Sequence, residues 1–189
     1  MLKKPYLMIV LMLMLVQTAC ASTTATSAPT SNEVKPVDEC PAATADLKLL
    51  KNTEAGYCLL YPEDYSADPQ NFIVINPITG PGDMPGEAWM FIQVEAANGR
   101  TSAQVADAAI EPLGTGFNIT KSELLIDEAQ AVVVDGLPGQ DSNRMIFLVS
   151  NDKLYTLTFA PWYPNANDPT ALENLYTTII QTLHFLPPA

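Results

Sequence analysis

A chain that performs acid–base or nucleophilic chemistry needs a titratable group within reach of a nucleophile or a second acid. The 189 residues contain one histidine, His184, set beside Phe185 on an apolar C-terminal run with no Ser or Cys nucleophile motif to partner it. A structural role fits it better than a catalytic one. The adjacent acids Glu63-Asp64 and Asp127-Glu128 fall in expected turns, where carboxylates usually face water. Asn165, Asn167 and Asp168 have the spacing of oxygen ligands but lack the twelve-residue calcium loop, and helix capping accounts for Asp168 better. The Gly/Pro-rich stretch NPITGPGDMPGE has neither the Lys-Ser/Thr of a phosphate-binding loop nor the GxGxxG spacing. No catalytic residue, cofactor or metal site is read from the sequence. Trp89, Trp162 and Tyr163 form the candidate binding surface: exposed together they would make a ligand or partner platform, whereas buried they would plug the open end of a core.

The three cysteines carry more information. Cys20, Cys40 and Cys58 make an odd count, awkward for an exported chain unless one thiol is otherwise used. If Cys20 is modified, Cys40 and Cys58 are left as a disulfide pair, which would suit an oxidising compartment and contribute on the order of 3 kcal/mol; the alternative is two buried thiols. No Cys/His spacing suggests zinc.

Ahead of Cys20 stand Lys3-Lys4, an apolar run from Tyr6 to Val16 and then Gln17-Thr18-Ala19. The run has about 11 residues against the roughly 20 of a spanning helix, so it reads as a signal peptide over residues 1–19. Thr18-Ala19-Cys20 resembles the lipobox of bacterial lipoproteins, although Gln17 stands where that family prefers an apolar residue. The resemblance implies that Cys20 is lipidated and becomes the new N-terminus. Ordinary cleavage at the A-x-A match Ala19-Cys20-Ala21, giving a secreted protein, is the alternative. Residues 20–39 then form a tether, because ASTTATSAPTSNEVKP is small, hydroxylated and proline-containing and cannot bury a core. A single domain over residues 40–189 follows. The formal net charge of −12 grows two units more negative once Lys3 and Lys4 leave with the leader, which argues against nucleic acid as a partner.

Within the domain, Asn143 to Pro161 reads as two strands joined at Asn151-Asp152, pairing Leu148 with Tyr155, Ile146 with Leu157, Val149 with Leu154 and Phe147 with Thr156. The unbroken apolar run Met145 to Val149 implies a central strand covered on both sides. Further strands are expected at Leu47–Lys51 and Tyr57–Tyr61, which form a hairpin around Gly56, and at Phe72–Ile75, Ala88–Ala96, Lys121–Ile126 and Ala129–Val134. A short helix opens with the capping box Thr101-x-x-Gln104, carries a Val105, Ala108, Ala109 stripe and ends at Pro112 and Gly114. The second helix starts at Asp168-Pro169 and presents Leu172, Leu175, Tyr176, Ile179, Ile180 and Leu183 to the Ile146, Leu148, Tyr155, Leu157 face, after which Thr182 to Leu186 turns back as an edge strand.

This order gives an α+β fold, an antiparallel β-sheet flanked by helices in an α-β-α sandwich. GYCLLYP, NRMIFLVSNDKLYTLTF and the helix running into TLHFLP resemble the PsbP-like proteins, found in photosynthetic lumens and in many bacterial proteins of unknown role. That resemblance implies an accessory or assembly role and supplies no functional residue. The expectation is therefore a non-catalytic lipoprotein domain of the cell envelope, held to a membrane by its lipid and binding another envelope component. A small-ligand or metal carrier, using the cleft between the Asn76–Glu87 loop and the Trp162 loop, is the second reading and a hydrolase the third.

Overall fold

The computed structural model describes residues 39–67, 72–75, 89–139, 142–162 and 170–188. Their order is β1 (Leu47–Asn52), β2 (Tyr57–Pro62), β3 (Tyr65–Ala67), β4 (Phe72–Ile75), β5 (Trp89–Ala96), α1 (Ser102–Ile110), β6 (Thr120–Ile126), β7 (Ala129–Asp135), β8 (Arg144–Ser150), β9 (Lys153–Ala160), α2 (Thr170–Thr182) and β10 (His184–Phe185). Cys20, the tether from Ala21 to Pro36, the Asn76–Glu87 loop, Tyr163 and the Asp168-Pro169 helix start lie outside the described residues.

β8 and β9 pair in the expected register, Leu148 opposite Tyr155 and Ile146 opposite Leu157. Their turn residues Asn151 and Asp152 both take left-handed backbone, φ 50° and 58°, which matches the strand twist in a two-residue hairpin. The hairpin sits inside an antiparallel seven-stranded sheet of order β3-β4-β5-β9-β8-β7-β6. On one face Met90, Ile92, Ile146, Leu148, Tyr155 and Leu157 share a core with Leu172, Leu175 and Ile179 of α2 and with Leu183 just after it. On the other, Val132, Val134, Phe147 and Leu154 meet Val105 and Ala106 of α1. The central strand is thus buried from both sides, as its apolar run requires.

The fold is mixed α+β, with antiparallel sheets and two helices, and the number of sheets is where it departs from expectation. β1, β2 and β10 form a separate three-stranded sheet of order β1-β2-β10. It lies on the α2 side, where Tyr57 and Leu59 of β2 enter the same core as Leu148. Alternation shows that a strand is covered on both faces but not which sheet it joins, so the hairpin was legible and its placement was not. β10 covers only the Tyr57-Cys58 part of β2, and beyond it the Thr182 hydroxyl accepts the Leu60 amide at 3.0 Å. Cys40 and Cys58 are joined by a disulfide with Cα atoms 5.8 Å apart, so the first described residues are tied to the centre of this small sheet.

α1 carries both arms of the expected capping box, Gln104 N to Thr101 Oγ1 at 3.2 Å and Thr101 N to Gln104 Oε1 at 2.8 Å. Its inward stripe is Ser102, Val105 and Ala106, with Ala109 partly buried. Ala108 is exposed, contrary to expectation, because counting from Ser102 at helical spacing reaches Ala109. Ser102 is a buried polar residue with its bonds satisfied: Oγ donates to Gln130 O at 2.8 Å and accepts from Val149 N at 3.0 Å, pinning the helix to β7 and β8. Gly136, φ +85°, ends β7 where a Cβ would stand 2.5 Å from Asn118 O, so both backbone and space require glycine.

Candidate functional site

Trp89 and Trp162 lie at one end of the large sheet. Trp89 opens β5 opposite Ala160, the last residue of β9, and Arg144 opens β8 opposite Phe159. Asp135 closes β7 opposite Arg144. Arg144 Nε and Nη2 donate to the two Asp135 carboxylate oxygens, each at 2.8 Å, a bidentate pair about three-quarters withdrawn from solvent. The guanidinium carbon lies 3.9 Å from the centroid of the Trp162 ring and 4.9 Å from that of Tyr176. Tyr176 itself packs against Phe159 at 5.2 Å and Trp162 at 5.4 Å.

Burial by itself would ease loss of the Arg144 proton, but the Asp135 hydrogen bonds and charge outweigh it and hold the pKa above its ordinary value. Arg144 therefore keeps its charge and clamps the start of β8 to the end of β7. Trp162 is 7 % exposed and belongs to the core, so the platform loses that member and the indole plugs the end of the sandwich. Trp89 is half-buried, and Tyr163 lies outside the described residues. Arg144, Asp135 and Tyr176 were missed as a cluster. Counting back from the hairpin through Gly136–Gly139 would have set Asp135 against Arg144, whereas the stacking on α2 has no sequence signal.

The other end holds His184 and Asp127. Asp127 stands in the β6–β7 turn as expected, but its carboxylate is engaged: it lies 3.0 Å from His184 Nδ1 and accepts the Phe185 amide at 2.8 Å. An Asp–His pair becomes an acid–base device only where the far nitrogen can reach a nucleophile, a water or a substrate. His184 Nε2 is buried without a hydrogen-bond partner among the described residues, and Cys58, opposite His184 in the sheet, is tied up in the disulfide. The pair fixes β10 against the large sheet.

Close by, a groove of about 690 Å³ opens between the β1–β2 turn and the ends of β5 and β9, lined in part by Glu54, Glu95, Asp152 and Lys153. The Lys153 ammonium donates to Glu54 O at 2.9 Å and Ala55 O at 3.0 Å. Its charge is spent on joining the small sheet to the large one. Glu63 and Asp64 lie exposed in the turn before β3, near Asp46. Among the described residues no three His, Cys, Asp or Glu side chains gather to hold a metal ion. No helix there is long and apolar enough to cross a membrane.

Burial makes three core phenols weaker acids. Tyr155 is pushed up to about 12, while Tyr57 and Tyr65 are driven well above the usual range.

No protein-family model matches the chain, and no curated protein does. Among solved structures it is similar to the solution structure of cyanobacterial PsbP (CyanoP) from Synechocystis sp. PCC 6803. The identity is 13 %, the match covers 80 % of this chain and 99 % of that one, and the TM-score is 0.46.

Proposed function

We propose that this chain is a non-catalytic lipoprotein domain, exported from the cytoplasm, tethered to a membrane through Cys20 and serving to bind or assemble another envelope component. The observation that carries the reading is the Cys40–Cys58 disulfide. With those two joined, Cys20 is the one remaining cysteine of the three, and it follows a basic start and a short apolar run. A disulfide also suits the oxidising side of a membrane. The absence of catalysis is supported by the way the charged groups are spent: Arg144 on Asp135 and two aromatic rings, and Asp127 on His184 and the Phe185 amide. The binding role rests on the PsbP-like resemblance of the hairpin and terminal-helix sequences.

Mild crosslinking on intact membranes, followed by purification of the chain and identification of what comes with it, tests the binding role. One reproducible envelope protein is the expected result, lost if Cys20→Ser releases the domain and kept if that variant stays attached through an uncleaved leader. A small molecule or metal ion retained in native mass spectrometry, with no protein partner, would replace this reading with that of a carrier.

A further inference from the structure

β6 is an outer strand of the large sheet, with β7 on one side and no strand on the other among the described residues. Six of its seven residues are exposed or only partly covered, and Leu125 is 69 % exposed. The exposed large apolar residues among those described are Leu49, Phe117 and Leu125, of which Leu125 lies on this strand and Phe117 shortly before it in sequence. A long edge carrying exposed apolar groups is a template for another strand unless something blocks it.

Which backbone groups face outward follows from the turn. Asp127 and Glu128, φ 47° and 67°, form a two-residue turn flanked by the pair Ile126 and Ala129. In such a hairpin the flanking pair exchanges both hydrogen bonds, as do alternate pairs behind it. Thr120, Ser122, Leu124 and Ile126 therefore bond to β7, and Lys121, Glu123 and Leu125 turn N–H and C=O outward.

Only certain antiparallel registers let two copies of that edge meet. A dyad at Lys121 sets Lys121 on Lys121, and one at Glu123 sets Glu123 on Glu123. A dyad at Leu124 leaves Glu123 opposite Leu125. With the dyad at Ser122, Lys121 faces Glu123 twice and Leu125 faces the partly buried Ile119 twice. Every outward-facing pair is then complementary, in charge or in apolarity. Lys121 and Glu123 are free to shift toward such partners, because their present contacts, to Asp107 and to Gln130, are exposed side-chain ones.

We infer that the chain forms a two-fold dimer by antiparallel pairing of β6 with β6 of a second copy, centred on Ser122, so that the two large sheets become one. Charge exchange within the strand tests it, read by sedimentation equilibrium of the full chain. The apolar N-terminal run is common to every variant, so the differences between variants carry the result. Wild type should be dimeric. Glu123→Lys, which sets two lysines against two lysines, should weaken dimerisation about tenfold or more, and Lys121→Glu should do the same. The double variant K121E/E123K, which restores both opposite-charge pairs, should recover the wild-type dimer. Circular dichroism melting of each variant confirms that the monomer still folds. A monomeric wild type, single variants that associate as tightly as wild type, or a double variant that stays dissociated would each overturn the proposal.

Discussion

Asp127 shows how much one turn residue can hold. Its carboxylate satisfies the amide of a strand two residues long and contacts the chain's one histidine, so it adds two contacts to the short β10 ladder. Asp127→Ala leaves the Phe185 amide without its acceptor, and we expect a loss of about 1–3 kcal/mol in urea unfolding. Asp127→Asn, which keeps one acceptor oxygen, should lose less; an unchanged midpoint for the alanine variant would remove β10 docking from the account. None of this was legible in the sequence, where Asp127-Glu128 reads as a solvated turn. The contact joins positions 57 residues apart, and only the three-dimensional placement of the small sheet brings them together. The Arg144 stacking on Trp162 and Tyr176 was hidden for the same reason.

At the level of elements, local patterns carried much further. The β8–β9 register followed from two residues that tolerate left-handed backbone and from the apolar run on each side of them. The inward stripe of α2 followed from helical spacing alone. These signals are short-range, and a strand or helix declares them whatever it packs against. Sheet membership is long-range, so the separate β1-β2-β10 sheet was not visible. Leu148 is fully buried in the core that the large sheet shares with α2. Leu148→Asp would place an unpaired carboxylate in that core, a cost of several kcal/mol that exceeds what a domain this size can spare. The variant should be insoluble or lack a melting transition, and soluble protein with a cooperative melt would refute the core assignment.

For the molecule as a whole, stability is set by the two cores, the disulfide and the ionisation of buried groups. Cys40 and Cys58 are separated by 18 positions, and replacing both by Ser releases that loop in the unfolded chain. The expected loss is about 3 kcal/mol in chemical denaturation, and a loss near zero would show the bridge to be dispensable. The buried phenols give an alkaline limit. Tyr155 has a folded pKa of about 12 against 10.0 unfolded, so its neutral form favours the native state; the contribution is complete below pH 10 and lost as pH rises through 12. Tyr57 and Tyr65 shift in the same direction. Tyrosinate absorbance from these residues should therefore appear together with unfolding as pH rises. Ionisation of Tyr57, Tyr65 and Tyr155 in still-native protein would contradict their burial.

We propose that Cys20 is the lipid attachment point of an exported domain. Metabolic labelling with a fatty acid, combined with intact-mass analysis of the mature N-terminus, tests it most directly. We expect acyl chains on Cys20, two or more because a single chain binds a membrane only marginally, a protein that fractionates with membranes, and loss of the label in Cys20→Ser, which releases the domain or leaves it attached through an uncleaved leader. An unmodified N-terminus at Ala21 or Ser22, in the soluble fraction, would show that Gln17 defeats the lipobox and that the chain is a simple secreted protein.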